Sequence, residues 1–128
     1  MSYVLLLEPN TLLAATYAQA LTHAGHTVMT AHHAQEAIYA ADKQAPEVVI
    51  MELQLGGHNG VEFLHEFRSY AEWQHVPVII NTSLPPVRMQ AIEQVLRVDL
   101  GVVQIFYKPA AALVDLCRAA SAQTANSA

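Results

Sequence analysis

Four residues of this 128-residue chain stand where chemistry is easiest to place: the carboxylates Glu8 and Glu52, the hydroxyl of Thr82 and the ammonium of Lys108. Each follows a short apolar run. Glu8 ends Tyr3-Val4-Leu5-Leu6-Leu7, and Glu52 ends Val48-Val49-Ile50-Met51, which is rich in β-branched residues as a strand buried on both faces should be. Thr82 follows Pro77-Val78-Ile79-Ile80-Asn81, and Lys108 follows Val102 to Tyr107. In an open α/β sheet the carboxyl ends of the strands are where functional groups collect. Two acids, one amine and one hydroxyl gathered there can form charge-assisted hydrogen bonds. In a partly sheltered cleft these are favourable only when the geometry is good, because desolvation opposes them.

The segments between those strands must supply the rest of the fold. Asn10 is placed to cap a first helix with the stripe Leu13, Tyr17 and Leu21, flanked by Ala20 and Ala24 and stopped by Gly25. Thr27 to Ala31 is expected to form a short second strand, and Ala34 to Gln44 a second helix. The loop Gly56 to Gly60 leads into a third helix over Val61 to Glu72, with Phe63, Leu64 and Phe67 inward and Tyr70 and Trp73 as packing or rim residues. Pro85-Pro86 is suited to open a fourth helix carrying Val87, Ala91, Ile92 and Val95 and ending before Gly101. A last helix is expected to run to about Ala120, with Leu113, Leu116, Cys117 and Ala120 at core spacing, leaving residues 121–128 as a flexible tail on a single domain spanning 1–120. Five strands alternating with five helices imply a parallel sheet with right-handed crossovers and helices on both faces.

Bulk composition narrows the function. The chain is 53% hydrophobic and 13% charged, which is globular rather than disordered. A net charge of −5 with six Lys and Arg argues against nucleic acid and anionic membranes as partners. No apolar run reaches the ~18 residues of a membrane span and no basic signal start is present, so a cytoplasmic location is expected. The single cysteine, Cys117, excludes an internal disulfide and reads as a buried, inert thiol. The seven histidines include the pairs His23/His26 and His32/His33, but neither pair brings a third ligand at a metal-site spacing, so no resident metal is expected. A hydrolase would need a base for Thr82, and no histidine is suitably spaced. A flavodoxin-like cofactor protein would share the architecture but needs a Ser/Thr/Gly-rich phosphate cradle, where Glu8-Pro9-Asn10-Thr11-Leu12 stands instead. No enzymatic activity is expected.

Over nearly its whole length the chain resembles the receiver domains of two-component response regulators. The residues that carry the resemblance are Glu8-Pro9, Ala34-Gln35-Glu36-Ala37-Ile38, Pro46-Glu47-Val48-Val49, the loop Glu52 to Gly60, Thr82, Gly101 and Lys108-Pro109. The resemblance implies a flavodoxin-like sheet of strand order 2-1-3-4-5. It places Glu52 at the phosphoacceptor position, Glu8, Pro9 and Gln54 at metal-site positions, and Thr82, Ile105 and Lys108 at switch and phosphate-contact positions. It also implies a histidine kinase or an output domain as partner, and Mg²⁺ as the cofactor of a working phosphorylation site.

The departures from the family pattern point elsewhere. Pro9 offers no side-chain oxygen to a cation that wants hard oxygen ligands. Glu52 carries its acid about 1.5 Å farther out than an aspartate, in a reaction that tolerates little misplacement. Ile105 stands where the family's switch aromatic is found, and the segment from Thr82 to Gly101 is about one helical turn longer than usual. The expectation is therefore a degenerate receiver in which Glu52 or Glu8 pairs with Lys108. The alternative is a receiver still phosphorylated by a histidine kinase. One further feature is independent of the family: from Pro9 through Gln35 no residue carries a formal charge, histidine aside. The first and last helices share one side of the sheet, so a homodimer or interdomain contact is expected there.

Overall fold

The computed structural model describes residues 2–56, 59–108 and 113–125. Five parallel strands, β1 (Ser2–Leu7), β2 (His26–Ala31), β3 (Val48–Met51), β4 (Val78–Thr82) and β5 (Val102–Tyr107), form one sheet in the order β2-β1-β3-β4-β5. The expected order 2-1-3-4-5 is the observed one. β3 is central, and all four of its residues are buried, which is why its sequence shows no polar alternation.

Side chains alternate across this sheet and sort into two apolar layers. On one side Leu5, Leu7, Val49, Met51, Val78, Ile80 and Ile105 pack against α2 (Ala34–Lys43) and α3 (Gly60–Ser69). On the other, Val4, Leu6, Val48, Ile50 and Ile79 pack against α1 (Thr11–His23) and α5 (Leu113–Ala125). Helices therefore cover both faces. Among the described residues no helix is long and apolar enough to cross a membrane.

Several boundaries differ from those the sequence suggests, each for a packing reason. α3 stops at Ser69, and a 3₁₀ turn over Ala71–Trp73 brings Trp73 under the core with its ring 4.9 Å from that of Phe67. The expected fourth helix is broken. Pro86–Met89 is α-helical (α4), residues 90–92 form a turn, and helical geometry resumes at Glu93 and Gln94 before a π-helical turn over Val95–Asp99. Met89, Leu96 and Leu100 face inward, whereas Val87, Ala91 and Val95 are exposed. Arg68 fixes the end of this irregular segment by donating from Nε to the Leu100 carbonyl at 2.9 Å and from Nη1 to the Trp73 carbonyl at 2.7 Å.

α5 continues past Ala120 to Ala125. Its inward positions are Leu116, Ala120 and Thr124, so Leu116 and Ala120 of the expected stripe are buried, whereas Leu113 is exposed and Cys117 is half-buried against the same layer. The extra turn is held at the amino edge of the sheet, where the buried His26 hydrogen-bonds Ser121 Oγ at 3.1 Å through Nε2 and Ser2 Oγ through Nδ1. Residues 126–128 of the expected tail lie outside the described residues. In α1 the buried residues are Ala14 and Leu21, Leu13 and Tyr17 are half-buried, and Ala24 is exposed just past the helix end.

Candidate functional site

The carboxyl ends of β1, β3, β4 and β5 bring Glu8, Glu52, Thr82 and Lys108 together. Backbone bonds set each position: the Glu8 N–H donates to the Ala31 carbonyl at 2.9 Å, Glu52 N–H to Leu7 at 3.0 Å, and Lys108 N–H to Thr82 at 2.8 Å. Each residue thus extends the ladder one step beyond its strand, and the acids end up inside the edge of the sheet rather than in solvent. Glu8 and Glu52 are each 3% exposed.

The loops then close around them. Pro9 ends the first strand, and Asn10 caps α1 by accepting the Leu13 N–H at 3.0 Å. After β3 the chain turns back so tightly that a Cβ on Gly60 would lie 2.7 Å from the Leu53 Cα, while the Gly60 N–H donates to the Leu53 carbonyl at 2.7 Å. Asn59 caps α3 by accepting the Val61 N–H at 2.8 Å. This return aims the N–H groups of Leu53 and Gln54 at the end of β3.

Both oxygens of Glu52 are filled. Oε2 accepts the N–H of Leu53 at 2.7 Å, the N–H of Gln54 at 3.0 Å and the Thr82 hydroxyl. Oε1 accepts the Ser83 N–H at 2.9 Å and Lys108 Nζ at 3.0 Å, with Ser83 Oγ 3.1 Å away. Ser83 Oγ also lies 2.8 Å from Gln54 Oε1, so its one proton is shared between that amide and the carboxylate. Lys108 Nζ bonds Glu8 Oε1 at 2.5 Å, and the other Glu8 oxygen accepts the Asn10 N–H at 3.1 Å. The Tyr17 ring lies 6.0 Å below the ammonium.

Charge states follow from this wiring. Burial by itself pushes the Glu52 carboxyl up, but hydrogen bonds from Thr82, Gln54, Ser83 and Lys108 outweigh it and hold the group below its ordinary value. Burial likewise draws Lys108 down, and its bonds to Glu8 and Glu52 outweigh that and hold it above its ordinary value. The stability owed to Glu52 is therefore present above the unfolded carboxylate value of about 4.3 and lost as pH falls through its depressed folded value. The stability owed to Lys108 is present below about 10.4 and lost as pH rises through its raised folded value. In urea denaturation across pH, Glu52→Gln is expected to flatten the acid flank below about 4.3 and to weaken the alkaline one only in part, because Lys108 then keeps Glu8 as its partner. An acid flank identical to that of the parent protein would contradict this.

Not every residue singled out in the sequence reaches the cleft. Pro9 shapes the turn but brings no oxygen. Ile105 is 8% exposed and packs into the layer under α2 and α3. The neighbouring aromatics split as strand alternation requires, Tyr107 toward that layer and Phe106 toward α5. Pro109 lies outside the described residues, as do Gly57 and His58 of the loop. Ser83 was missed by sequence reasoning, although a second hydroxyl directly after Thr82 was a usable signal.

Mg²⁺, which the family pattern implies, does not fit these residues. It needs an octahedron of oxygens, and every carboxylate oxygen here already accepts a donor, with an ammonium seated between the two acids. The buried side-chain oxygen without a partner among the described residues is Asn81 Oδ1, on β4 one residue before Thr82. Among the described residues no group of three or more His, Cys, Asp or Glu is arranged to hold a metal ion.

The fold is that of receivers in solved structures. A response regulator receiver domain from Clostridium thermocellum superposes with a TM-score of 0.82 at 19% identity, covering 99% of this chain and 97% of that one. The chemotaxis response regulator CheY4 of Vibrio cholerae gives 0.82 at 22%, covering 96% and 98%. Residues 4–120 match the response regulator receiver domain family, and the chain belongs to it. It is 34% identical over 80 residues to the probable transcriptional regulatory protein TcrX of Mycobacterium tuberculosis, covering 62% of this chain and 33% of that protein. It is 26% identical over 106 residues to the alginate biosynthesis transcriptional regulatory protein AlgB of Pseudomonas aeruginosa, covering 83% and 22%. The chain thus spans a third or less of the length of these two relatives.

Proposed function

We propose that this is a degenerate receiver, a signalling domain whose cleft is occupied by its own carboxylate in place of a phosphoryl group. It acts as a phosphorylation-independent protein-interaction module. The observation that carries this reading is the saturation of Glu52: Thr82, Ser83, Lys108 and two loop N–H groups all donate to it. An oxygen that accepts three donors in a closed cleft is a poor nucleophile, because attack requires those bonds to be given up first. Thr82 is already drawn onto the acid and Lys108 is already paired. The groups that would respond to a phosphoryl group are held in one arrangement, and the domain rests in a permanently switched state.

Its partners in this reading are proteins of two-component signalling, a histidine kinase or an output domain, or a second copy of the chain, and its compartment is the cytoplasm. No catalysis is assigned to it. The test is incubation with a small-molecule phosphodonor and Mg²⁺, followed by intact mass. The expected spectrum is that of the unmodified chain. A stoichiometric phosphoryl adduct, at Glu52 or at any other residue, would overturn the proposal in favour of a phosphorylation-competent receiver.

A further inference from the structure

His26 opens β2 at the amino edge of the sheet, opposite the edge that holds Glu52, and it is 6% exposed. β1 and β2 pair Ser2 with His26, so the two side chains share one side of the sheet, the side that α1 and α5 cover. Both ring nitrogens are taken by serine hydroxyls: Nδ1 bonds Ser2 Oγ, and Nε2 bonds Ser121 Oγ on α5 at 3.1 Å. The imidazole therefore bridges the first residue of β1 and the last turn of α5. Beyond the buried Ala120, that turn runs through Ser121, Ala122, Gln123 and Thr124. These small or polar residues bury little apolar surface, and Thr124 Oγ1 donates back to the Ser121 carbonyl at 3.2 Å. The docking of the turn thus leans heavily on the bond to His26.

We propose that His26 is a pH-operated latch for the last turn of α5: neutral, it holds Ser121 against the sheet, and protonated, it releases the turn. In the closed form a proton on the ring is a charge in a nearly dry site whose two partners are neutral. Both serines must then accept, and whichever hydroxyl donated to the bare nitrogen has to find another acceptor. The charged surroundings do not offset this. Glu47, in the turn before β3, is the acid that acts on the ring, and its Oε1 already accepts the Tyr3 N–H at 3.1 Å. Tyr3, next along β1 from Ser2, points to the other side of the sheet. On α5, Asp115 and Arg118 lie 4.0 Å apart and both are exposed, as is His23 at the end of α1. Burial holds the imidazole below its ordinary value, and Glu47 opposes that only in part. Opening the turn returns the ring to water, where it takes a proton near ~6.5. The open form therefore binds more protons than the closed one. The latch is at full strength above ~6.5 and weakens as pH falls from there toward the lowered closed-form value.

Hydrogen exchange of the whole chain reads the latch directly. Between about pH 7.5 and about pH 5.5, after correction for intrinsic exchange, the protection of the amides of residues 121–125 is expected to fall several-fold, by at most about tenfold per pH unit below ~6.5. At both pH values these amides are expected to be less protected than those of β3, which marks local opening rather than unfolding of the domain. The His26 ring, followed by NMR, is expected to titrate below ~6.5 in the parent protein. Ser121→Ala cuts the bond from the α5 side. It is expected to leave residues 121–125 weakly protected at both pH values and to move the ring's midpoint back toward ~6.5. His26→Gln keeps a polar group that takes no proton in this range, so the protection of the turn is expected to be the same at both pH values. Equal protection of residues 121–125 at the two pH values in the parent overturns the proposal. So does an equal fall in His26→Gln, or protection of the turn that matches that of β3. The latch lies at the opposite edge of the sheet from Glu52, so its failure would leave the closed-cleft proposal standing.

Discussion

Lys108→Met is expected to lower the unfolding free energy at neutral pH by about 3–5 kcal/mol, the range for removing one partner of a buried ion pair. The size follows from what remains behind. Glu8 and Glu52 are each 3% exposed and share this one ammonium, at 2.5 and 3.0 Å. Methionine keeps the stem's volume but leaves two carboxylates side by side without a cation. Glu52 loses one of the bonds that hold its carboxyl below the ordinary value, so it protonates at higher pH in the variant than in the parent. The deficit is therefore expected to narrow as the pH approaches ~4, where the parent's Glu52 begins to lose its own advantage. Adding Glu8→Gln to Lys108→Met removes one of the two orphaned charges and is expected to recover part of the loss. Urea denaturation of the single and double variants at two pH values reads all three effects. A loss below about 1 kcal/mol, typical of an exposed pair, would show that the cleft is not dry enough for the wiring to matter.

Much of this cleft was visible in the sequence because the residues that build it sit at the ends of strands, and strand ends are marked locally. The Val48–Met51 run announces a central strand by composition alone, and the acid after it needs no further information to be placed at the sheet's carboxyl edge. Asn10 before an apolar stripe marks the entry to α1 in the same way. What stayed hidden depends on partners distant in sequence. Pro85-Pro86 starts a helix as expected, but its interruption after Met89 and its closing π-helical turn go with the distant clamp from Arg68 to the Leu100 carbonyl. Neither shows in a helical-periodicity reading. The last turn of α5 is fixed by Ser121 meeting His26, so small polar residues that read as a frayed tail instead dock. Ser83 was passed over for a related reason: one hydroxyl in a loop has no distinguishing pattern until its N–H and Oγ are seen beside Glu52.

Glu52→Ala carries the second large effect, and one that oxyanions should reverse. Removing the carboxylate leaves the Thr82 hydroxyl, the N–H groups of Leu53, Gln54 and Ser83, and Lys108 aimed at a space the side chain filled. Buried donors without an acceptor cost about 1–3 kcal/mol each when nothing relaxes. Water can enter so polar a space and Lys108 keeps Glu8, so the expected net loss is about 2–4 kcal/mol. These donors form a cradle for any small oxyanion, and formate or acetate supplies the carboxylate that alanine lacks. A ligand that binds only the folded state stabilises by RT ln(1 + [L]/Kd), about 2.7 kcal/mol at a hundred times Kd. Formate is thus expected to raise the midpoint of Glu52→Ala in a saturable way and to leave the parent protein unmoved, because its cradle is already full. Chloride at equal ionic strength controls for screening. Inorganic phosphate tests the same cradle with a tetrahedral anion, and stabilisation by phosphate as well as formate would mean that the donors still have the reach to hold the group Glu52 replaces. If formate shifts parent and variant equally, the gain is a bulk salt effect. The donors would then not be converging on the carboxylate, and the idea of Glu52 as a built-in occupant of the cleft would fail with them.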